Sequence, residues 1–333
     1  MLHIQHMGQP EAMEGLIAVI QPDFSAIYQV AYLLGLLKMK TILITAANGD
    51  TGKPTVEHLL EKGFDVRALV RKDDERAQRL RDLGAAVVFG NMLSLRDIRT
   101  AMAGVQRAYF CYPLAEGLVE AAAIFAQAAK EHELELIVNM SHKQSRPFAR
   151  SKATQNHWLS EQIFNWSAVP STHLRITFFA EWLLYIAPLI RYGRYVMPYS
   201  KDSRFAPIAA SDIARIVASI LENPAAHAGE AYALHGPVEY SHEELAAVVG
   251  RVLGKSLPYE QVTVSTFLEM LGLQDNTSYR KHFEAVTIDQ QEGLLAGTDS
   301  IGTEIIGQPL KTIEQFVAEN RSKFVVEYPK VSV

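Results

Sequence analysis

The chain has 333 residues, 48% hydrophobic and 21% charged, which is enough apolar material for a core without disulfides or metal; Cys111 is its only cysteine, so no disulfide can form within it. A formal net charge of −5 excludes an electrostatic case for nucleic acid, which needs a clustered basic face. At roughly 150 residues per domain, the length fits one large or two modest domains.

No basic segment with a small-residue cleavage site opens the chain. The most apolar stretch, Phe24 to Leu37, falls short of the ~20 apolar residues a bilayer requires. A soluble, cytoplasmic protein with no membrane span is expected. Ala26, Val30, Leu33, Leu34 and Leu37 fall near helical spacing, so residues 1–38 read as an N-terminal extension with an amphipathic helix over 24–37. Such a helix covers part of the body, extends the chain from an upstream start codon, or makes a subunit or membrane-surface contact; the sequence leaves all three open.

From Met39 the pattern alternates. Thr41–Thr45 is a β-rich apolar run, followed by a turn through Gly52 and a helix carrying Val56, Leu59 and Leu60, stopped at Gly63. Strands are predicted at 66–70, 86–89, 107–111 and 134–140, with helices over 74–83, 95–103 (capped by Ser94) and 117–132. Short apolar strands separated by helices imply a parallel sheet covered on both faces, and right-handed crossovers make it an α/β, Rossmann-type, doubly wound fold. Beyond residue 150 a helix is predicted over 153–167 and a strand over 172–177, after which the alternation stops. Ser211–Glu222 reads as a capped helix, and Ser241 with Glu244 forms a capping box. The expectation is a nucleotide-binding core over 39–178, interleaved with a smaller, mostly helical lobe over about 179–325.

The first strand-to-helix turn carries the chemistry. A pyrophosphate needs a tight turn, bare backbone and the positive end of a helix. Here the turn reads Ala46-x-x-Gly49-x-x-Gly52, with Asn48, Asp50 and Thr51 between, and Ala46 stands at the first glycine position. It fits there provided its φ is negative. An acidic residue after the second strand would bond an unphosphorylated ribose; this chain has Arg71 and Lys72, two cations suited to a 2′-phosphate. The expected cofactor is therefore NADP(H). Gly90-Asn91-Met92 follows the third strand and edges the adenine pocket, where Asn91 either bonds the base or caps its own loop.

These segments, with His157-x-x-x-Glu161, Leu174–Phe179, Pro207–Ala214 and Tyr232–Pro237, resemble the NmrA-like family of atypical short-chain dehydrogenases/reductases over residues 39 to about 325. The resemblance implies two alternatives. One is an NADPH-dependent oxidoreductase reducing a quinone, enone or related conjugated carbonyl or imine by hydride transfer. The other is a non-catalytic NADP(H)-binding redox sensor.

Short-chain dehydrogenases commonly use Tyr-x-x-x-Lys on the helix after the fifth strand, with a glutamate further on in extended members. Aligned on Glu161, those positions hold Ala153 and His157, and Lys152 is one residue out of register. Sugar epimerisation, which needs that pair, is disfavoured. Quinone reduction asks less, because water can protonate the hydroquinone anion. His142 and Lys143 remain as candidate proton donors. Tyr112, Pro113, Met140, Ser141 and His157 are expected around the nicotinamide, with His157 packing under the cofactor or bonding Glu161. Tyr112, His142, Phe179, Trp182 and Tyr185 are expected around a small, flat, apolar substrate. Glu181 departs from the neutral polar residue that relatives usually carry near this point. No metal is expected, and a homodimer is the candidate assembly.

Overall fold

The computed structural model describes residues 40–113 and 115–325. The expected helix over 24–37 and the rest of the 1–38 extension lie outside the described residues.

The first part of the chain runs β1 (Thr41–Ile44), α1 (Gly52–Glu61), β2 (Asp65–Val70), α2 (Glu75–Asp82), β3 (Ala86–Phe89), α3 (Leu95–Met102), β4 (Arg107–Phe110), α4 (Leu118–Glu131), β5 (Leu136–His142), α5 (Lys152–Trp166) and β6 (Ser171–Ile176). It continues through α6 (Trp182–Tyr185), α7 (Ala187–Arg191), β7 (Tyr195–Met197), β8 (Arg204–Phe205), α8 (Ala210–Glu222) and β9 (Ala231–Leu234). The last part is β10 (Tyr240–Ser241), α9 (His242–Leu253), β11 (Tyr259–Gln261), α10 (Val264–Met270), α11 (Thr277–Gln291), α12 (Ile301–Ile306), α13 (Ile313–Glu319) and α14 (Arg321–Phe324). None of the described helices is long and apolar enough to cross a membrane.

Seven parallel strands form one sheet in the order β3-β2-β1-β4-β5-β6-β9. Val56 and Leu59 of α1, Ala77 and Leu80 of α2, and Ile213, Val217 and Leu221 of α8 bury one face of it. Ile98, Phe125 and Phe164 from α3, α4 and α5 bury the other. Each such large apolar side chain contributes about 1.5–3 kcal/mol by leaving water. The chain leaves β1 toward β2 on one side and reaches β4 on the other. This switch of direction opens a crevice beyond the carboxyl ends of the central strands. A third cluster, including Leu183, Ile190, Tyr199, Phe267 and Phe283, forms the core of the mostly helical lobe.

The alternation does not end at residue 177. Helix α8 and strand β9 make one more crossover, and β9 pairs with β6 from His173–Ala231 to Ile176–Leu234. This strand is an edge, largely unburied, with sequence Ala-Tyr-Ala-Leu and no β-branched residue, so it carries little strand signal. The lobe also holds two unanticipated pairings, β8 with β10 and β7 with β11. The capping box at Ser241 and Glu244 is present, and Ser94 and Asp74 cap α3 and α2.

Helix α8 is capped differently from the sequence reading. It begins at Ala210, and its N-cap residue Ala209 has no side-chain acceptor to offer. Both carboxylate oxygens of Glu181 instead accept the Ala210 N–H, at 3.0 Å each. Burial pushes the Glu181 carboxyl up to about 7; the bond from Ala210 holds it down, and the charges of Asp50 and Asp212 add to the rise. The folded state therefore keeps a proton that the unfolded chain releases near the ordinary value of 4.5. Stability from this group is fully present below that value and is lost as pH rises through about 7. Between about pH 5 and pH 8 wild type should lose on the order of 1–3 kcal/mol more than Glu181→Gln, read by denaturant titration.

The start of α1 gives a second test. A Cβ on Gly52 would lie 2.2 Å from the carbonyl oxygen of Ala46, a backbone atom that cannot swing aside. Gly52→Ala is expected to cost about 2–3 kcal/mol of unfolding free energy. A loss within experimental error would contradict this packing.

Candidate functional site

Strand β1 delivers the chain to a turn held from below. Thr45 Oγ1 lies 3.1 and 3.0 Å from the carbonyl oxygens of Tyr109 and Cys111 and accepts the Cys111 N–H at 2.8 Å. Gly49 N–H donates to Ala46 O at 2.8 Å and closes the turn. Ala46 has φ +47°, in the left-handed region, not the negative φ that the sequence reading required. A side chain costs roughly 1–2 kcal/mol there. The first glycine of the pattern is thus replaced by the smallest side chain, at the price of backbone strain. Gly49 is also tight, since a Cβ there would lie 3.1 Å from Ala46 O.

Above this turn the amides of Asp50, Thr51 and Gly52 have no acceptor among the described residues. They sit at the positive end of α1, a ready anion site. Thr51 does not cap the helix; its hydroxyl lies 2.9 Å from that of the fully buried Tyr109. Tyr109 was missed in the sequence because it reads as one more strand residue.

The charged run after β2 resolves into pairs. Asp73 binds Arg81 at 2.8 Å, and Asp74 binds Arg76 at 2.8 Å while accepting the N–H groups of Arg76 and Ala77. Arg71 and Lys72 are exposed and have no carboxylate partner among the described residues. Burial raises the Tyr112 hydroxyl, and the charge of Arg71 draws part of that back. Tyr112 donates to Glu116 O at 2.9 Å, and Pro113 follows it. Asn91 caps its own loop: its Oδ1 accepts Leu93 N–H at 3.1 Å, while Met92 packs against the neighbouring core.

At the end of β5, Met140 is buried and Ser141 turns inward, donating to Glu161 Oε1 at 2.5 Å. Arg175 grips the same carboxylate at 3.0 and 2.7 Å. Burial raises the Glu161 carboxyl, but the bonds from Arg175 and Ser141 more than offset that and hold it below its usual range. Glu161 therefore ties β5, α5 and β6 together. Of the two roles expected for His157, the bond to Glu161 is not made. Its Nδ1 is sealed from solvent without a partner, and its ring stacks on His142 at 5.4 Å and 14°.

His142 ends β5 and is not an exposed loop residue. Burial, then the neighbouring His157, His282 and Arg146, depress its pKa well below the usual value. Burial pulls His157 and His282 down to about 4. The rings are neutral at pH 7. Lys143 turns away: its ammonium donates to Ala296 O, near Asp299 and Glu239.

Helix α6 supplies the opposite wall. Trp182 lies 5.0 Å from Tyr185 and stacks on His282 at 6.3 Å and 15°. The Tyr185 hydroxyl reaches Asp50 Oδ2 at 3.5 Å, across to the glycine turn. Phe179 does not join this wall; it bridges to Ile208 and packs on the sheet body. His282, on α11, has no motif around it and was not anticipated.

The chain matches the model of the NmrA-like family over residues 38–332. It is 26% identical over 287 residues, 85% of this chain and 99% of the relative, to an NAD(P)H azoreductase of Xenophilus azovorans. Its fold is similar to the NADPH complex of an NADPH-dependent quinone oxidoreductase of Escherichia coli, with TM-score 0.75, 22% identity, and 84% and 99% of the two chains covered. It is also similar to a Citrobacter sp. triphenylmethane reductase complexed with NADP(H), with TM-score 0.74, 20% identity, and 84% and 99% covered. The switch in strand order agrees with the match over residues 38–332, and the chain belongs to the NmrA-like family.

Proposed function

We propose that this chain is an NADP(H)-dependent oxidoreductase, an atypical short-chain dehydrogenase/reductase that reduces a small, flat, conjugated acceptor such as a quinone, enone or imine. The observation that carries the cofactor reading is the bare corner at Gly49 and Gly52, with amides above it and two cations, Arg71 and Lys72, at the end of β2 that have no partner among the described residues. The amides of residues 50–52 hold the pyrophosphate, and Arg71 and Lys72 hold the 2′-phosphate. Asn91 and Met92 edge the adenine. Tyr112, Pro113, Met140 and Ser141 border the nicotinamide end, with His142 and His157 beyond. The reduced nicotinamide, when bound, supplies a hydride. Trp182 and Tyr185 offer flat faces to the acceptor.

Reductases among the relatives, the azoreductase and the quinone oxidoreductase, support this reading. So does an aromatic wall continuing the cofactor crevice, which a cofactor sensor does not require. The missing Tyr-x-x-x-Lys pair favours a sensor instead. Neutral histidines make weak acids, so the proton for any oxyanion comes from solvent. A lone cysteine fits a reducing compartment such as the cytoplasm.

Each charge-assisted bond to the 2′-phosphate is worth about 1.5–3 kcal/mol. NADPH should therefore bind about 10- to 100-fold more tightly than NADH, and Arg71→Ala should remove most of that gap while leaving NADH affinity unchanged. Fluorescence titration reads both constants; equal affinities in wild type would contradict the assignment.

A further inference from the structure

Helix α11 is the part of the lobe that reaches back over the crevice, and three contacts fix it there. Lys281 binds Glu116 at 2.7 Å, in the loop after β4, where the Glu116 carbonyl oxygen also accepts the Tyr112 hydroxyl. Asp289 accepts the hydroxyl of Thr154, on α5, at 2.9 Å. In between in the chain, His282 lies 6.3 Å from Trp182, with the two rings 15° from parallel. Trp182 in turn lies against Tyr185, whose hydroxyl reaches Asp50 of the glycine turn. His282 therefore belongs to the same wall as the two flat faces offered to the acceptor. It is half-buried, and no hydrogen bond joins its ring nitrogens to any described residue.

As wall material an imidazole offers what a phenyl ring offers, plus an N–H. Buried polar groups are bonded as a rule, and one left unpaired costs about 1–3 kcal/mol. The ring's orientation gives that N–H a use. A flat acceptor stacked on Trp182 lies parallel to it and so nearly parallel to His282. Ring N–H bonds point in the imidazole plane, and a carbonyl oxygen accepts best near its own plane. The two planes match here, as they do not for Tyr185, tilted 46° from Trp182. The nearby cations point elsewhere. Arg146 binds Glu292 at 2.5 Å, Lys143 donates to Ala296 O, and Arg280 donates to Gln274 O at 3.1 Å. Lys152 is exposed at the start of α5. We propose that His282 is a catalytic residue, donating its ring N–H to the carbonyl oxygen of the acceptor and holding the negative charge that hydride transfer places there. This rests on the reading of the site as a nicotinamide-dependent reductase. Hydride transfer breaks one C–H bond on the reduced nicotinamide and forms one on the electrophilic carbon of the acceptor. The displaced π pair moves onto the carbonyl oxygen, which solvent then protonates. Burial keeps the His282 ring uncharged at pH 7, so it serves as a fixed dipole and not as an acid. Such a donor, in place before the charge develops, is commonly worth about 10²–10³ in rate.

The test uses the full chain with NADPH and 1,4-naphthoquinone. His282→Phe keeps a ring on Trp182 and removes the donor. Its kcat should fall roughly 100-fold, while naphthoquinone KM and NADPH affinity change less than about threefold. His282→Gln restores an N–H without the ring and should keep kcat within about tenfold of wild type. Infrared spectroscopy gives a second readout. With NADP⁺ bound to wild type, the carbonyl stretch of bound naphthoquinone should lie at lower frequency than that of the free quinone in an apolar solvent, and His282→Phe should abolish the shift. An unshifted stretch in wild type would overturn the donor role, and this arm stands even if a variant fails to fold. Equal kcat losses in the two variants, or a loss carried by KM alone, would show packing and overturn it as well. So would His282→Phe turning over at the wild-type rate with normal NADPH binding. In each of these cases the reductase reading survives. No NADPH oxidation by wild type would overturn that reading and this inference with it.

Discussion

Where α1 starts, the backbone of Gly52 presses against the carbonyl of Ala46 so closely that any side chain on Gly52 would collide with it. That contact joins helix to strand at the centre of the sheet and brings the helix N-terminus over the crevice beyond β1 and β4. The turn stays compact because Gly49 bonds back to Ala46 and because Ala46 accepts a left-handed φ of +47°. The strain is local, and the packing of Ile42, Val56, Leu59 and Tyr109 around the turn keeps it in place. Such strain persists only where surrounding structure over-determines the conformation. Here it leaves successive amides without acceptors among the described residues.

Charge is divided along the crevice from the same corner. Cations without carboxylate partners among the described residues lie at one end, at Arg71 and Lys72, because the acids after them are used in capping and pairing around α2. An acid lies at the other end, at Asp50, with Glu181 behind it on the Ala210 N–H, its carboxyl pushed up to about 7 by burial. In between, Glu161, Arg175 and Ser141 form a satisfied buried network, the kind that orders a site without exposing charge to it. The histidines beside it are neutral because burial and mutual proximity disfavour their protonation. The proposed site thus combines amide donors suited to phosphate, a flat apolar wall and little acid.

Much of the sheet is legible in the sequence because strand and helix periods alternate cleanly from Thr41 to His142, with Ser94, Gly63 and Gly84 at their ends. The glycine turn and its two cations are legible for the same reason: local spacing carries their meaning. What escapes is non-local. Strand β9 is a short edge with a weak pattern and gains its place only by pairing with β6. Helix α8 borrows its cap from Glu181, far back in the chain, so Ser211 was a natural misreading. His282 joins His142 and His157 only through folding of the lobe, and nothing near residue 282 in the sequence marks it. The φ of Ala46 depends on how closely Gly52 approaches, a three-dimensional fact. Local chemistry was readable; pairings between distant segments were not.

The most direct measurement is a crystal structure of the protein with NADP⁺ bound. The expected result places pyrophosphate oxygens within hydrogen-bond distance of the amides of residues 50–52, the 2′-phosphate between Arg71 and Lys72, and the nicotinamide toward Trp182 and Tyr185. A dinucleotide lying elsewhere on the sheet, or an adenosine end turned away from Arg71 and Lys72, would contradict it.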